Sequence, residues 1–307
     1  MRTMKWKVPQ RIIGREDGKC NWLCLNVMCP VPTIRENGTV RVYCAFCDED
    51  NKGRVGYVDV DADDPTHIIH ISEVPCLDIG ERGTFDDSGV LPTCVFEEHG
   101  ILYMYYCGFQ RHINVPYTSL LGIAESRDGG NTFHRIKNTP VLERKQGELF
   151  IRTGAYCIFH DDHYELFYAS GDEWFDLYKG KMEPVYHLRS VSSKRKDVFT
   201  EEKSIGVINL EGDEYGIIIP QYLCDLNREL LIFSVRSKSR GYRIEYAEKK
   251  SNIWERKGEI GLERVAHTWC DEMQCFGKML SLGDRRLLFF CGNHYGMGGM
   301  GWTELEN

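Results

Sequence analysis

Long apolar runs are missing from this chain. No stretch approaches the roughly 20 residues a helix needs to cross a bilayer, so a helical membrane span is excluded. Basic charge is in deficit as well. With 38 Lys and Arg against 46 Asp and Glu, the net charge is −8, which disfavours nucleic acid as the main partner. Helical periodicity is scarce, because Gly, Asn and Asp interrupt the chain too often for a helix beyond a turn or two. The opening MRTMKWKVPQRII carries charge but no apolar signal-peptide core, which predicts a cytoplasmic protein. Cysteine is plentiful but unpaired in pattern. The count of 13 is odd, Cys44-Ala-Phe-Cys47 has no second matched pair, and Cys20, Cys24 and Cys29 form only a loose cluster. These thiols read as reduced, buried strand residues, and no metal or cofactor is expected.

What is present is a repeat. An apolar, aromatic-rich strand recurs as Tyr43–Cys47, Tyr103–Cys107, Leu166–Ser170, Leu231–Val235 and Leu287–Cys291. Their central residues, Ala45, Tyr105, Tyr168, Phe233 and Phe289, are spaced 60, 63, 65 and 56 apart. A period near sixty built from strands alone means a radial β array. Upstream of each marker lies another apolar stretch (Val27–Ile34, Val90–Phe96, Tyr156–Phe159, Ile217–Leu223, Cys275–Leu280). Downstream come period-2 segments: Gly53–Asp61, Leu120–Ser126, His187–Ser193, Tyr242–Glu248 and Gly299–Leu305. Short aromatic strands follow at Thr132–Arg135, Val198–Phe199 and Ile253–Arg256. Four antiparallel strands per repeat predict one all-β domain over residues 1–307, a five-bladed β-propeller. The blades span about 14–75, 84–140, 148–203, 212–260 and 268–307 plus 3–10. The last repeat lacks its outer strand, so Met4–Val8 is expected to supply it and close the ring, removing an open edge. The stretches Asp63–Gly83 and Asp172–Pro184 read as loops.

The start of the first strand and the end of the second share one face of such a blade. Counting back from the markers finds Asp86/Asp87, Asp213/Glu214 and Asp271/Glu272, with Asn26 and Arg152 at the same offset in the other two repeats. Loops leaving the second strands bring His112, Trp174, Arg236, Arg240, His294 and Tyr295 to that face. One acid of each pair can look into the cleft, since neighbouring strand residues point to opposite faces. Acids at strand starts are also ordinary turn residues, but three pairs at one blade position are expected to converge. Convergent carboxylates suit glycosidic chemistry, one protonating a leaving oxygen and another acting as base or nucleophile. Asp86, Asp87, Glu214, Asp271 and Glu272 are therefore the catalytic candidates. Asn26, His112, Arg152, Trp174, Arg236, Arg240, His294 and Tyr295 are the substrate-binding ones, the arginines suiting an anionic group.

Ser126-Arg-Asp128-Gly-Gly130-Asn-Thr132-Phe133 fits the Asp-box pattern S-x-D-x-G-x-T-[FW], a turn between a blade's third and fourth strands. It belongs to the scaffold. Gly296-Met-Gly-Gly-Met-Gly301 matches no phosphate-loop spacing and reads as a tight turn near the cleft.

Gly83-Thr-Phe-Asp-Asp-Ser-Gly-Val-Leu-Pro92, Tyr103–Gly108, Val115-Pro-Tyr117, Leu121–Ser126, Tyr242–Ala247 and Gly292-Asn-His-Tyr-Gly296 resemble the five-bladed glycosidase-related propellers. That group holds the arabinanases and xylosidases, the invertases and levansucrases, and the mannoside phosphorylases. Over roughly residues 20–303 the chain more closely resembles a branch often labelled as glycosylases and associated with bacterial surface-polysaccharide gene clusters. The resemblance implies a sugar-binding axial cleft with acids from separate blades. It also marks departures. Where the arabinanase-like enzymes place a catalytic aspartate on the first blade, this chain has Asn26–Pro30; where they place a general-acid glutamate on the third, it has Ile151-Arg152-Thr153. Only Asp86/Asp87 fall near a family acid position, so acid and base would have to come from Asp213/Glu214 and Asp271/Glu272. The expectation is an enzyme that hydrolyses or transfers a glycosidic bond in surface-glycan metabolism. A sugar-phosphate or nucleotide-sugar enzyme and a non-catalytic glycan binder are the alternatives.

Overall fold

A computed structural model describes residues 4–17, 22–35, 37–199, 205–225 and 228–306. Cys20 of the loose cysteine cluster lies outside the described residues. The strands follow the sequence in antiparallel meanders. After β1 (Gln10–Ile13) come β2 (Val27–Ile34), β3 (Val40–Cys47), β4 (Gly53–Val60) and β5 (Ile68–Ile71). The second meander is β6 (Gly89–Glu98), β7 (Ile101–Arg111), β8 (Tyr117–Ser126) and β9 (His134–Arg135). The third is β10 (Ile151–Phe159), β11 (Tyr164–Tyr178), β12 (Lys181–Ser193) and β13 (Ile205–Ile208). The fourth is β14 (Glu214–Asp225), β15 (Arg228–Ser237), β16 (Arg243–Lys250) and β17 (Ile253–Glu259). The last is β18 (Cys275–Leu282), β19 (Arg285–Cys291) and β20 (Met300–Glu304), completed by β1.

The five marker segments all fall inside second strands, β3, β7, β11, β15 and β19, which are buried on both faces. That explains their continuous apolar character, since side chains on either face meet a neighbouring meander. Tyr43 and Tyr57 of the first meander pack on Met104 and Tyr106 of the second. Tyr105 and Tyr168 join the second and third, Phe167 and Phe233 the third and fourth, and Ile232 and Phe290 the fourth and last. The series ends with Val42 and Phe46 packed on Phe289, Trp302 and Ile13, so the first meander shares a core with the last.

Four expectations need correction. The regular N-terminal strand lies at Gln10–Ile13, while Met4–Val8 joins the same last meander through the Trp6–Leu305 bridge and the backbone bonds from the Lys7 amide to the Glu304 carbonyl (2.9 Å) and from the Glu306 amide to the Lys5 carbonyl (2.8 Å). The fourth strand of the first meander, β5, lies inside the presumed loop 63–83, and that of the third is Ile205–Ile208 rather than Val198–Phe199. Asp172–Pro184 is no loop. It extends β11 and β12 into a long hairpin whose Trp174 packs on Tyr117 and Phe150, while Phe175 packs on Tyr215. Nor do the meanders form separate sheets. Parallel pairs Ile151↔Ser119, Arg152↔Leu120 and Tyr186↔Gly216 join the second, third and fourth into one 12-stranded sheet, because first strands approach the preceding third strands at one end.

The Asp-box has its expected geometry. Asp128 accepts bonds from Ser126 Oγ (2.7 Å), Thr132 Oγ1 (2.7 Å) and the amides of Asn131 and Thr132, while Phe133 is buried. Burial would raise the Asp128 pKa, but these bonds outweigh it and hold the carboxyl at about 2.

Candidate functional site

Every first strand carries an irregularity at the same depth, a register shift at Met28/Val31, Pro92/Cys94, Thr153/Tyr156, Ile218/Gln221 and Cys275/Lys278. Four of these bulges hold a left-handed residue: Cys29 (φ 54°), Gly154 (64°), Ile219 (54°) and Phe276 (58°). For β-branched Ile219 this conformation is strained, and such strain persists only where surrounding structure imposes it. The bulged strands bend around a central cleft of about 170 Å³ to which every meander contributes. Met28 and Cys29 come from the first, Phe109, Tyr117 and Ser119 from the second, and Thr153 and Tyr186 from the third. The fourth adds Ile219, Arg236 and Tyr242, and the last adds Phe276 and Tyr295. A depression of about 280 Å³, lined by Ser88, Asn51 and Arg111 among others, shares Met28, Leu91, Phe109 and Tyr117 with it.

The charge at the centre of the cleft is Arg236. Its guanidinium lies 4.4 Å from the Tyr215 ring centroid, 4.9 Å from Tyr186 and 5.5 Å from Tyr242, and its Nη1 pairs with Glu183 Oε2 at 2.8 Å. Burial opposes the charge, but the Tyr186 and Tyr242 phenols and Glu183 outweigh it, so the Arg236 pKa sits above its ordinary value. The Tyr186 and Tyr242 hydroxyls bond each other, and desolvation keeps both phenols protonated. Tyr117 is pushed up to about 12, chiefly by burial. Three buried polar atoms of the lining, Arg236 Nε, Ser119 Oγ and Thr153 Oγ1, have no hydrogen-bond partner among the described residues. Such groups are costly unless a ligand or water satisfies them.

The nominated acids do not meet in this cleft; among the described residues, no Asp or Glu lines it. Asp86 is fully buried, paired with Arg135 Nε (2.7 Å) and bonded by Tyr106 (3.0 Å) and Thr84 (2.8 Å). Glu214 sits between Arg243 and Arg256 within its own meander. Asp213 accepts from the Ser239 amide at 2.7 Å. Asp271 accepts from the His267 amide (2.7 Å) and Asn293 Nδ2 (2.8 Å), holding the turn that carries Tyr295 into the cleft. Glu272 is exposed, 3.6 Å from the equally exposed His294. Only Asp87 stays near the opening. It is half-buried, accepts from the Gly83 amide (2.9 Å), and bonds Ser88 Oγ (2.7 Å), which lines the depression.

The binding candidates divide similarly. Arg236 and Tyr295 line the cleft, and Asn26 supports Tyr295 by donating to its carbonyl at 3.2 Å. Trp174 stands behind the wall, edge-on to Tyr117 at 5.3 Å. Arg152 turns away, buried against Glu148 (2.8 Å) and the Glu143 carbonyl, and Arg240 pairs with Glu259 on the surface. His112 lies beside Thr118 at the rim. Sequence reasoning missed Tyr117, Tyr186, Tyr242, Glu183 and Ser119. A signal was available: a tyrosine stands at or just ahead of the third strand's core segment in three consecutive repeats.

No protein-family model matches the chain. It is 25% identical over 308 residues to Rv1502, an uncharacterized protein of Mycobacterium tuberculosis, covering 99% of this chain and 100% of that one. Among solved structures, one is described by the words "the GH130 family of mannoside phosphorylases contains glycoside hydrolases that target beta-1,2 mannosidic linkages in Candida mannan". It superposes with a TM-score of 0.73 at 15% identity, over 100% of this chain and 94% of that one. A thermostable family-43 glycoside hydrolase gives 0.68 at 12% identity, over 92% and 89%. The GH32 β-fructofuranosidase of Bombyx mori gives 0.65 at 13%, over 96% and 61%. At these identities the likeness is one of fold, the all-β fold of propeller glycoside hydrolases.

Proposed function

We propose that this chain is a five-bladed propeller enzyme acting on a glycosidic bond, with the sugar in the central cleft and Asp87 at its mouth donating the proton. The observation that carries the reading is the cleft lining. Aromatic rings offer apolar faces for the C–H faces of a sugar ring, while Arg236 Nε and Ser119 Oγ remain unpaired for its hydroxyls. The shared core of first and last meanders and the pairing of β1 with β20 support a closed ring of five blades. The likeness in fold to glycoside hydrolases and mannoside phosphorylases supports the reaction class.

With Asp87 the one nominated carboxylate at the opening, the nucleophile is a molecule from outside the protein, either water or a free anion. Asp87 passes a proton to the leaving glycosidic oxygen as the C–O bond breaks, the incoming oxygen bonds the anomeric carbon from the opposite face, and an attacking water releases its own proton to solvent, from which Asp87 is reprotonated. A double displacement through a glycosyl–enzyme intermediate would need a second carboxylate beside it, which the lining does not supply. A cytoplasmic role in bacterial surface-glycan metabolism belongs to this proposal.

The test is turnover on a panel of oligosaccharides and surface-glycan fragments, followed by chromatography of released sugars. Asp87→Asn is expected to lower turnover by about 10²–10⁴-fold, the usual worth of a general acid, with sugar affinity held within about threefold. Undiminished turnover in Asp87→Asn would remove Asp87 from the mechanism. Sugar binding without turnover anywhere in the panel would favour a glycan-binding protein instead.

A further inference from the structure

Beside the cleft mouth lies a second concavity that the reaction above does not use. It is formed by the β7–β8 turn and the segment after the Asp-box meander, with Phe150 in its wall. Its polar groups are Arg111, His112, Asn114, Thr118 and Arg144, and no Asp or Glu lines it. Neither arginine forms an ion pair with a described residue. Arg111 donates to the main-chain carbonyls of Asp50 and Asn51, the latter at 3.3 Å, and Arg144 Nη2 donates to Thr118 Oγ1 at 3.3 Å. Both guanidiniums are exposed and bonded only to neutral oxygens, without a carboxylate partner among the described residues, in a chain whose net charge is −8. Thr118 is 3% exposed, and His112 Nε2 lies 2.9 Å from the same hydroxyl oxygen. With His112 protonated on Nε2, that oxygen accepts from two donors, and its own hydrogen is free for an acceptor in the concavity. Arg111 also lines the depression leading to the cleft, so the two spaces share a wall.

We infer that Arg111, Arg144, His112 and Thr118 form a subsite for a phosphate group, reached by a ligand whose sugar occupies the central cleft. Two guanidinium forks, an imidazole and a hydroxyl offer more donors than one carboxylate can accept, whereas a phosphate presents several oxygens and up to two negative charges. Two sources have this chemistry: inorganic phosphate serving as the outside nucleophile, or a phosphate carried by the sugar. The subsite itself stands on the geometry of its own residues, and its link to a sugar rests on the glycosidic reading.

The experiment is calorimetric titration of the full chain with inorganic phosphate, glucose 1-phosphate and glucose, repeated on R111Q/R144Q and on Thr118→Val. Phosphate is expected to bind the native chain at least tenfold more tightly than the double variant, with Thr118→Val intermediate and glucose indifferent to both. A melting temperature unchanged by the substitutions confirms that the variants are folded. Glucose 1-phosphate binding more tightly than phosphate identifies the sugar-borne source, and equal affinity identifies the free anion; either outcome supports the subsite. Equal phosphate affinity in native chain and double variant, or none in the native chain, overturns it. Phosphate binding here with no sugar bound in the cleft would leave the subsite and remove the glycosidic reading. Glycoside turnover by a native chain that binds no phosphate would do the reverse.

Discussion

Replacing Glu214 with glutamine is expected to lower the free energy of unfolding by about 3–5 kcal/mol, the usual cost of breaking a buried ion pair from one side. Glu214 accepts from Arg256 Nη2 at 2.6 Å and Nη1 at 2.9 Å, and from Arg243. Glu245 accepts from Arg243 Nε and Arg256 Nε, each at 2.6 Å. All four side chains are at least 88% buried, and the cluster balances two carboxylates against two guanidiniums. Glutamine keeps the shape but leaves one buried positive charge in excess. Urea unfolding should show a lower midpoint with an unchanged slope. Sugar affinity in the cleft should stay within about twofold, since Glu214 does not line it. Burial raises the Glu214 pKa, but the bonds from Arg256 and the Glu211 amide and the two guanidinium charges outweigh it, so the folded value is depressed. Its stabilisation is therefore present above the ordinary glutamate pKa and lost as pH falls through the folded value. The gap between native and variant should close in acid. Full stability with lost turnover would instead make Glu214 a working acid.

A second large effect should come from Lys278, whose side chain is buried at the bulge of β18. Its Nζ donates to the Pro220 carbonyl at 2.5 Å and lies 5.0 Å from the Tyr156 ring centroid. Burial pushes its pKa down from 10.5 to about 8, against the opposing influence of nearby thiols Cys94, Cys29 and Cys107. Below about pH 8 the amine is charged in both states, and the cost of burying that charge is fully felt. Between about 8 and 10.5 the folded chain releases the proton while the unfolded chain keeps it, so stability from this group rises with pH. At about 1.4 kcal/mol per unit, the swing is on the order of 3 kcal/mol. Lys278→Met is therefore expected to be at least as stable as the native chain at pH 7, with that advantage shrinking by pH 10. The buried thiols of Cys29, Cys44 and Cys291 act oppositely, because burial raises their pKa and the unfolded thiols ionise first. That loss is common to both proteins and cancels in the difference. Urea titrations under reducing conditions at pH 7, 8, 9 and 10 would measure it, and a pH-independent difference would refute the account.

The parts of the fold legible in sequence are those set by local pattern. Tyr103–Cys107 and its counterparts announced themselves because a strand packed on both faces must be apolar at every residue. The outer strand β5 was not legible, because its residues are half-exposed or exposed and follow acidic turn formers at Asp61–Asp64. The hairpin at 172–184 was misread for a related reason. Its strand character comes from Trp174 and Phe175 docking on Tyr117, Phe150 and Tyr215, partners more than twenty residues away.

By itself, the order of residues determined the meander repeat, the near-absence of helix, the Asp-box turn and the presence of polar residues at five equivalent positions near strand starts. Those follow from side-chain alternation and turn chemistry, which act over a few residues. Only the tertiary structure decided where those polar side chains point. Asp86 and Glu214 turn toward Arg135, Arg243 and Arg256 because a buried carboxylate is most stable against a guanidinium, and those arginines stand on later strands of the same meanders. The cleft was left to Arg236 and to Tyr117, Tyr186 and Tyr242, in or just ahead of three third strands and brought together by bulges whose bend no single segment reveals.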